Sequence, residues 1–350
     1  MADKDRKIAT VFLGILVLIA LGGVLVWMQS VVLPLVIAVL LSYIFKPVVL
    51  FLRTKRVPNA LALVVVFLVI AGLFFGFGSI LYSTVNTFVK AFPRYQDRLT
   101  LLVYEGSRII ESLAADAGIR LDGMTLTDVI DVSAIGSIVS SSAGSFVSLL
   151  SNLVLVLLFM FFILAGSGDV IAKLKTAVSL KQASTLATMI ETVDLKVRRY
   201  LIAKTLISLL TGAVTSLILL ILGVDFALLW GFLTFLLNFI PTVGSIVAVF
   251  FPFLFSLLQF DTFTVPLLTL ILLSVAQNTI GNVLEPRYLA HSLNLSPLLV
   301  LVALLFWGWI WGIWGMILSV PIMSTIKIIC ENVDSLKPVA ALMSGSVDGK

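Results

Sequence analysis

Two long apolar runs in the second half of this chain are each interrupted near their middle by Gly and Pro. The first, Phe226–Leu258, breaks at Asn238-Phe-Ile-Pro241-Thr-Val-Gly244. The second, Leu298–Thr325, breaks at Gly308-Trp-Ile-Trp-Gly312-Ile-Trp-Gly315, with Pro321 beyond. Pro removes a backbone donor and clashes with the preceding turn, and Gly weakens a helix interior. Hydrocarbon offers the freed backbone groups no partner, so such a break must lie against protein or a water-filled cavity. Paired, interrupted apolar segments in corresponding positions point to the binding site of a transporter.

Composition agrees that lipid is the solvent. The 350 residues are 60% hydrophobic and 12% charged, with a mean hydropathy of +1.19; a soluble domain carries about 25% charge. Several apolar runs exceed the ~20 residues that cross a bilayer. The net charge of +5 sits in loops between these runs, where it reports topology, so no nucleic-acid partner is expected. One cysteine, Cys330, excludes a disulfide framework or thiolate metal centre. A single His without HExxH leaves no zinc motif. No cofactor is expected.

Residues 1–82 read as three spans, about Ile8–Met28, Val31–Phe45 (continuing to Leu52) and Ala60–Tyr82. The first lacks a small-x-small cleavage site and reads as a retained anchor. Lys46, Arg53, Lys55 and Arg56, with Lys4, Arg6 and Lys7, place the N-terminus and first loop in the cytoplasm. Gly72-x-x-x-Gly76 and Gly78 suggest close helix packing. Residues 83–145 turn polar, with five Lys/Arg against seven Asp/Glu. Their apolar residues, such as Leu99, Leu102, Val103, Ile109, Ile110 and Leu113, recur at helical spacing, and Thr125–Asp128 resembles a capping box. This region reads as extracytoplasmic amphipathic helices lying on the membrane or against a second subunit, so a homo-oligomer is expected. The Ala134–Ser148 cluster suggests tight packing, or else a pore lining.

Residues 146–200 hold a fourth span, about Phe146–Ala165, and a basic cytoplasmic linker. Gly166-Ser-Gly168-Asp169 superficially suits an intramembrane aspartyl protease, but no second Asp lies in an apolar span, so a glycine helix cap is the simpler reading. Residues 201–330 form the expected transport core and 331–350 a cytoplasmic tail. Lys204, one turn inside the fifth span (Leu201–Leu222), is expected to snorkel to the interface, with pairing to an acid as the alternative.

Two layouts suit the core. If Phe226–Leu258 crosses once, Asp261 is inside and Arg287 outside. If it is a re-entrant hairpin, Asp225 and Asp261 both lie outside, Thr262–Val283 runs inward, and Arg287 and Lys327 are cytoplasmic. The second layout obeys the positive-inside rule. The expected fold is therefore all-α: a polytopic helical membrane protein of about eight membrane segments, two of them broken or re-entrant hairpins forming an inverted repeat. A plain bundle with kinked helices is the alternative.

Candidate substrate- or ion-binding residues cluster at the breaks. Asn238, Pro241 and Gly244 form the first break, and Trp307 flanks the second, where Trp307, Trp309, Trp311 and Trp314 suggest an interfacial anchor or a wall of the site. Asn278 and Asn282 are four apart on one helical face, with Glu285 a turn later on the same side and Gln277 adjacent. An ionisable group inside a membrane is a functional candidate by default, so Glu285 is a candidate for a coupling proton or sodium. Arg287 is a further candidate for the site; pairing of Glu285 with it, or capping of the next segment, is the structural alternative.

Phe92-Pro-Arg-Tyr95, Asn238-Phe-Ile-Pro-Thr-Val-Gly244, Gly281-Asn-Val-Leu-Glu-Pro-Arg287, Leu293-Asn-Leu-Ser296, Phe306-Trp-Gly-Trp309 and Leu318-Ser-Val-Pro321 together resemble the autoinducer-2 exporter family of bacterial inner-membrane permeases. The resemblance runs from the first span to about Cys330, and Trp311-Gly-Ile-Trp-Gly315 is more aromatic than the family pattern. It implies a permease, not an enzyme, that exports a furanone-like quorum-sensing signal. Some family members are linked to sodium/proton exchange, so sodium (or lithium)/proton antiport is the second implied reading. A membrane scaffold or signalling protein is the remaining, non-transport class. The lipid bilayer and a small-molecule substrate are the partners implied, and with no Walker A motif in the chain a gradient would drive transport.

Overall fold

A computed structural model describes residues 13–14, 16–17, 20–116, 152–166, 180–289 and 294–345. The described secondary structure is helical, with one isolated bridge between Leu295 and Ser344. Helical residues 20–27 break at Met28 (φ −91°, ψ 14°), and α1 follows as Gln29–Thr54, so the first two spans divide where the sequence suggests. A turn through Arg56 (φ 63°) leads into α2, Asn59–Asp116. At 58 residues α2 is about 87 Å long, and it carries the third span without a break into the polar region. The rest of that region, including the 125–128 capping box and the 134–148 cluster, lies outside the described residues, as do Asp169 and the rest of 167–179 in the basic linker.

Helix α3, Asn152–Gly166, packs Val156, Leu157, Met160 and Leu164 against Ala38 and Val49 of α1 and Ala62, Leu63, Val66 and Ile70 of α2. Of the glycines expected to pack closely in α2, Gly78 is buried, but a Cβ on Gly72 or Gly76 would meet nothing within 4 Å among the described residues. Close approach occurs instead between α4, Leu180–Ile221, and α5, Ala227–Leu237. A Cβ on Gly231 would collide with Ser216 Oγ and the Gly212 carbonyl, so these helices meet backbone to backbone. Small residues permit such an approach between helices in lipid.

Helix α5 is only about 17 Å long, too short for the ~30 Å hydrocarbon core. The chain turns at Asn238–Thr242 and α6, Val243–Gln259, returns. Gln259 shows that it returns to its starting side: its Oε1 accepts the Asp225 N–H (2.8 Å) and its Nε2 donates to the Gly223 carbonyl (2.8 Å). The segment is a hairpin. Aromatic rings seal its base, with Phe88 and Tyr95 of α2 packed on Phe226, Trp230 and Phe255.

The next span comprises α7, Thr264–Asn278, a π-helical turn Thr279–Leu284 and α8, Glu285–Leu289. Helix α9, Pro297–Asn332, leaves helical geometry at Trp311 (φ −127°, ψ 16°) and Gly312 (φ 60°, ψ −141°). Past that point Gly315 lies against the Trp307 carbonyl and Gly308 against Met316. Residues eight apart in a straight helix are separated by about 12 Å, so the chain reverses here too. Lys327 Nζ closes the base by donating to the Asn294 carbonyl (2.6 Å). A final helix, α10 (Lys337–Met343), docks there, its Met343 carbonyl accepting the Ser296 N–H (2.9 Å).

The two hairpins open toward opposite ends of the bundle. Tyr95 donates to Asp225 (2.7 Å) and Arg98 pairs with Asp261 (3.6 Å) at the first hairpin's base. Lys46 pairs with Asp194 (2.9 Å), and Lys196 with Glu331 (3.7 Å), at the second's. Asp225 and Asp261 therefore share one end and the basic loops the other, as the hairpin layout requires. Each unit is a full span followed by a hairpin, in opposite orientation: an inverted repeat. The correspondence reaches the hairpin tips, where Gly244 sits under the Leu237 carbonyl as Gly315 sits under that of Trp307.

These tips have no slack. A Cβ at either glycine meets fixed backbone, and overpacking of this kind costs about 1–3 kcal/mol. Gly244→Val and Gly315→Val are expected to lower the thermal unfolding midpoint of the purified protein, while Gly76→Ala leaves it unchanged.

Candidate functional site

Helix α4 carries a stripe of polar side chains through the apolar bundle. Lys204, Ser208, Thr211 and Thr215 follow one another at helical spacing, and all are buried. Sequence reasoning missed the three hydroxyls, although their spacing with Lys204 in an otherwise apolar helix marks one face. Thr211 returns its hydroxyl to the Ile207 carbonyl (2.8 Å). Ser208 instead accepts a hydrogen bond from another element, the Nδ2 of Asn238 (3.0 Å).

Asn238 stands at the tip of the first hairpin. Its own N–H closes the last turn of α5 on the Thr234 carbonyl (2.9 Å). The chain then tightens, with Phe239 and Ile240 donating to the Leu236 and Leu237 carbonyls, before Pro241 ends the helix and Thr242 turns at φ 61°. Pro241 cannot continue the ladder, and Gly244 lets the second arm pass under the first. This geometry buries the Asn238 side chain to 4% exposure and points it at α4. Gln277 of α7 completes the group: its Nε2 donates to Ser245 Oγ (2.8 Å) and, at 3.5 Å, to Asn238 Oδ1. Four elements thus meet through Ser208, Asn238, Ser245 and Gln277. The nearby Thr205 and Thr234 hydroxyls have no hydrogen-bond partner among the described residues.

The other expected site residues lie elsewhere. Asn278 and Asn282 are exposed and hydrogen-bond each other (2.9 Å). The π turn Thr279–Leu284, which contains Asn282, precedes Glu285: an i→i+5 turn adds one residue to the register, about 100° of rotation. Glu285 therefore leaves the face of the two asparagines and turns toward α4, where its Oε1 takes Lys204 Nζ. Lys204 does not snorkel; it is 4% exposed and paired with an acid in the bundle. Arg287 is exposed and is not the partner of Glu285. Trp307 is buried beside Trp311 (5.0 Å) in a cluster with Leu33, Ala303, Ile310 and Leu318. Trp311 is also buried, and its Nε1–H donates to the Leu25 carbonyl (3.1 Å), tying the second hairpin's tip to the N-terminal segment. Of these rings only Trp309 is fully outward, at 78% exposure, so an interfacial anchor fits Trp309 and not Trp307 or Trp311. The hairpins share α4 as a neighbour; Trp307 and the Asn238 group are not joined by hydrogen bonds.

Chemically, the Asn238 group offers hydroxyls and carboxamides without a formal charge, and the Lys204–Glu285 pair lies one to two turns away along the same face of α4. Neutral donors and acceptors in an apolar bundle can exchange partners with a polar solute, because every unpaired group there is costly. No group of three His, Cys, Asp or Glu able to hold a metal ion occurs among the described residues.

A family model described as "AI-2E family transporter" matches residues 15–335. The chain is similar to a putative transport protein of Borreliella burgdorferi, 30% identical over 98% of this chain and 92% of the relative. It is also 30% identical to the AI-2 transport protein TqsA of Escherichia coli, over 95% and 94% of the two chains. The putative transport protein YhhT of Escherichia coli is 27% identical over 90% and 88%.

Removing the Asn238 carboxamide takes away the hydrogen bond that the buried Ser208 hydroxyl accepts and leaves Gln277 with Ser245 alone, a loss of about 1–3 kcal/mol. Asn238→Ala is expected to lower the unfolding midpoint measurably, whereas Asn282→Ala, at an exposed site, leaves it within error of the parent protein.

Proposed function

The chain belongs to the AI-2E transporter family, and on that footing we propose that it is a secondary transporter that exports a small polar metabolite by alternating access. The observation that carries this reading is the buried, uncharged Ser208–Asn238–Ser245–Gln277 group at the tip of a broken membrane segment. An amide–hydroxyl group of this kind suits a small polyhydroxylated ligand better than an ionic one. TqsA, named as an AI-2 transport protein, is 30% identical over nearly the whole chain, which favours the quorum-sensing signal autoinducer-2 as cargo. Asn238 and Gln277 would bind its hydroxyls, Pro241 and Gly244 would keep the hairpin broken, and the tip of each hairpin would open toward one side in turn.

The basic end, with Lys46, Arg53 and Lys196, is the cytoplasmic one in this proposal, and both termini lie there in the bacterial inner membrane. Glu285 takes the coupling proton or sodium. The distal part of α2 leaves Tyr104, Ile109, Ile110 and Leu113 exposed, apolar surface that a homo-oligomer would cover. A second reading, sodium (or lithium)/proton antiport, is favoured by one observation: a carboxylate and an ammonium paired inside an apolar bundle, a placement typical of ion pathways.

Purified protein in proteoliposomes separates the two. Labelled autoinducer-2 is expected to accumulate against its gradient when a pH or sodium gradient is imposed, and Asn238→Ala is expected to abolish that flux. Cation exchange without movement of the signal would establish the antiporter reading in its place.

A further inference from the structure

The Lys204–Glu285 pair is isolated among apolar residues. Lys204 is the only ionisable residue in 201–221, and none occurs in 264–284. The structure itself works to bring the two together, because an uninterrupted α-helix would aim Glu285 along the Asn278–Asn282 face; the π turn at Thr279–Leu284 rotates it to α4. From α4 the groups facing the carboxylate are Lys204 and the buried Tyr200, and on its own helix Arg287 is exposed. Lys204 is almost fully buried, while the Glu285 side chain keeps 23% of its surface. The open side of the pair is therefore that of Glu285.

A carboxylate already engaged by an ammonium holds an incoming cation more weakly than a free one, because the two positive charges repel. We propose that Lys204 is a resident cation on Glu285 that the coupling cation, a proton or a sodium ion, displaces. No covalent step is involved: the incoming ion takes the carboxylate and the lysine remains an ammonium, so the site gains one positive charge. The released ammonium lies one turn from Ser208 on the same face of α4. Ser208 holds the Asn238 carboxamide at the hairpin tip. An ammonium donating to that hydroxyl competes with Asn238 Nδ2–H, so filling Glu285 loosens the tip that seals the substrate group. Lys204 is thus a positioning residue that couples ion occupancy to the first hairpin. The inference rests on the gradient-driven transport proposed above.

Displacement predicts a cation response already present in the parent protein that tightens when the lysine is neutralised and is kept with arginine. If the carboxylate is free only about one-tenth of the time, removing the competitor raises apparent cation affinity about tenfold. The full-length protein in lipid nanodiscs is titrated with sodium at fixed pH and with acid in sodium-free choline buffer, reading the thermal unfolding midpoint. The parent midpoint is expected to respond to one of the two ions, which identifies it. In Lys204→Met the half-saturating concentration falls about tenfold, Lys204→Arg keeps the parent value, and Glu285→Gln abolishes the response. Lys204→Gln gives the same comparison if the methionine variant does not fold. An unchanged or weaker response in both neutral variants, a surviving response in Glu285→Gln, or a parent protein blind to both ions overturns the proposal. Labelled-signal flux of the same variants, reconstituted in proteoliposomes, keeps the two ideas apart. Cation responses as expected without signal movement remove the cargo assignment and leave Lys204 standing. Signal flux with a Lys204-independent cation response removes the role of Lys204 alone.

Discussion

A helix that stops inside hydrocarbon leaves backbone groups that the solvent will not satisfy, and the second half of this molecule is arranged around meeting that requirement twice. At the first break the tip folds under itself at Gly244 and is held by side chains from α4 and α7. At the second, Gly315 supplies the same close approach, and Trp311 ties the tip to the Leu25 carbonyl. Both arms of each hairpin then need a base that does not splay. Gln259 ties the first and Lys327 the second, each reaching back to backbone where its hairpin begins.

The two units share geometry more than chemistry. An amide ties one base and an ammonium the other; Thr242 turns at φ 61° in one tip and Gly312 at φ 60° in the other. Each hairpin also follows a residue at positive φ, Phe226 (58°) and Asn294 (39°). What is repeated is the path of the backbone and the places where no Cβ fits. This explains why the repeat is faint in residue identity: many side chains can tie a base, but only glycine tolerates backbone at that distance.

Polar chemistry is distributed unequally between the units. The first hairpin meets α4 through Asn238 and Ser208, while the second surrounds Trp307 and Trp311 with apolar residues. The stripe Lys204, Ser208, Thr211 and Thr215 makes α4 the common wall, since both hairpins pack on it. Motion of either hairpin must slide along that wall. The Gly212–Gly231 contact brings the backbones of α4 and α5 close enough for the short serine side chain to reach Asn238.

Much of this was legible without coordinates. The length of the apolar runs, the Pro and Gly breaks and the placement of basic loops were enough for an all-α membrane fold with two hairpins, because those features follow from local chemistry and the demands of lipid. Asn238 was legible for the same reason, as a polar residue beside an obligatory break. The companions of Asn238 were legible only in part. Gln277 stands among the polar residues that the sequence sets near the breaks, but Ser208 was missed, and only packing brings both against the tip. The sequence also misassigned the face of Glu285 and the fate of Lys204. Helical periodicity assumes a constant rotation per residue, and the π turn at Thr279–Leu284 breaks that assumption by about one residue. Local patterning thus determined which segments enter the membrane and where they break. Which side chains face each other across the bundle was left to packing, because partners separated by 30 to 81 residues of chain meet only after the helices have taken their rotations.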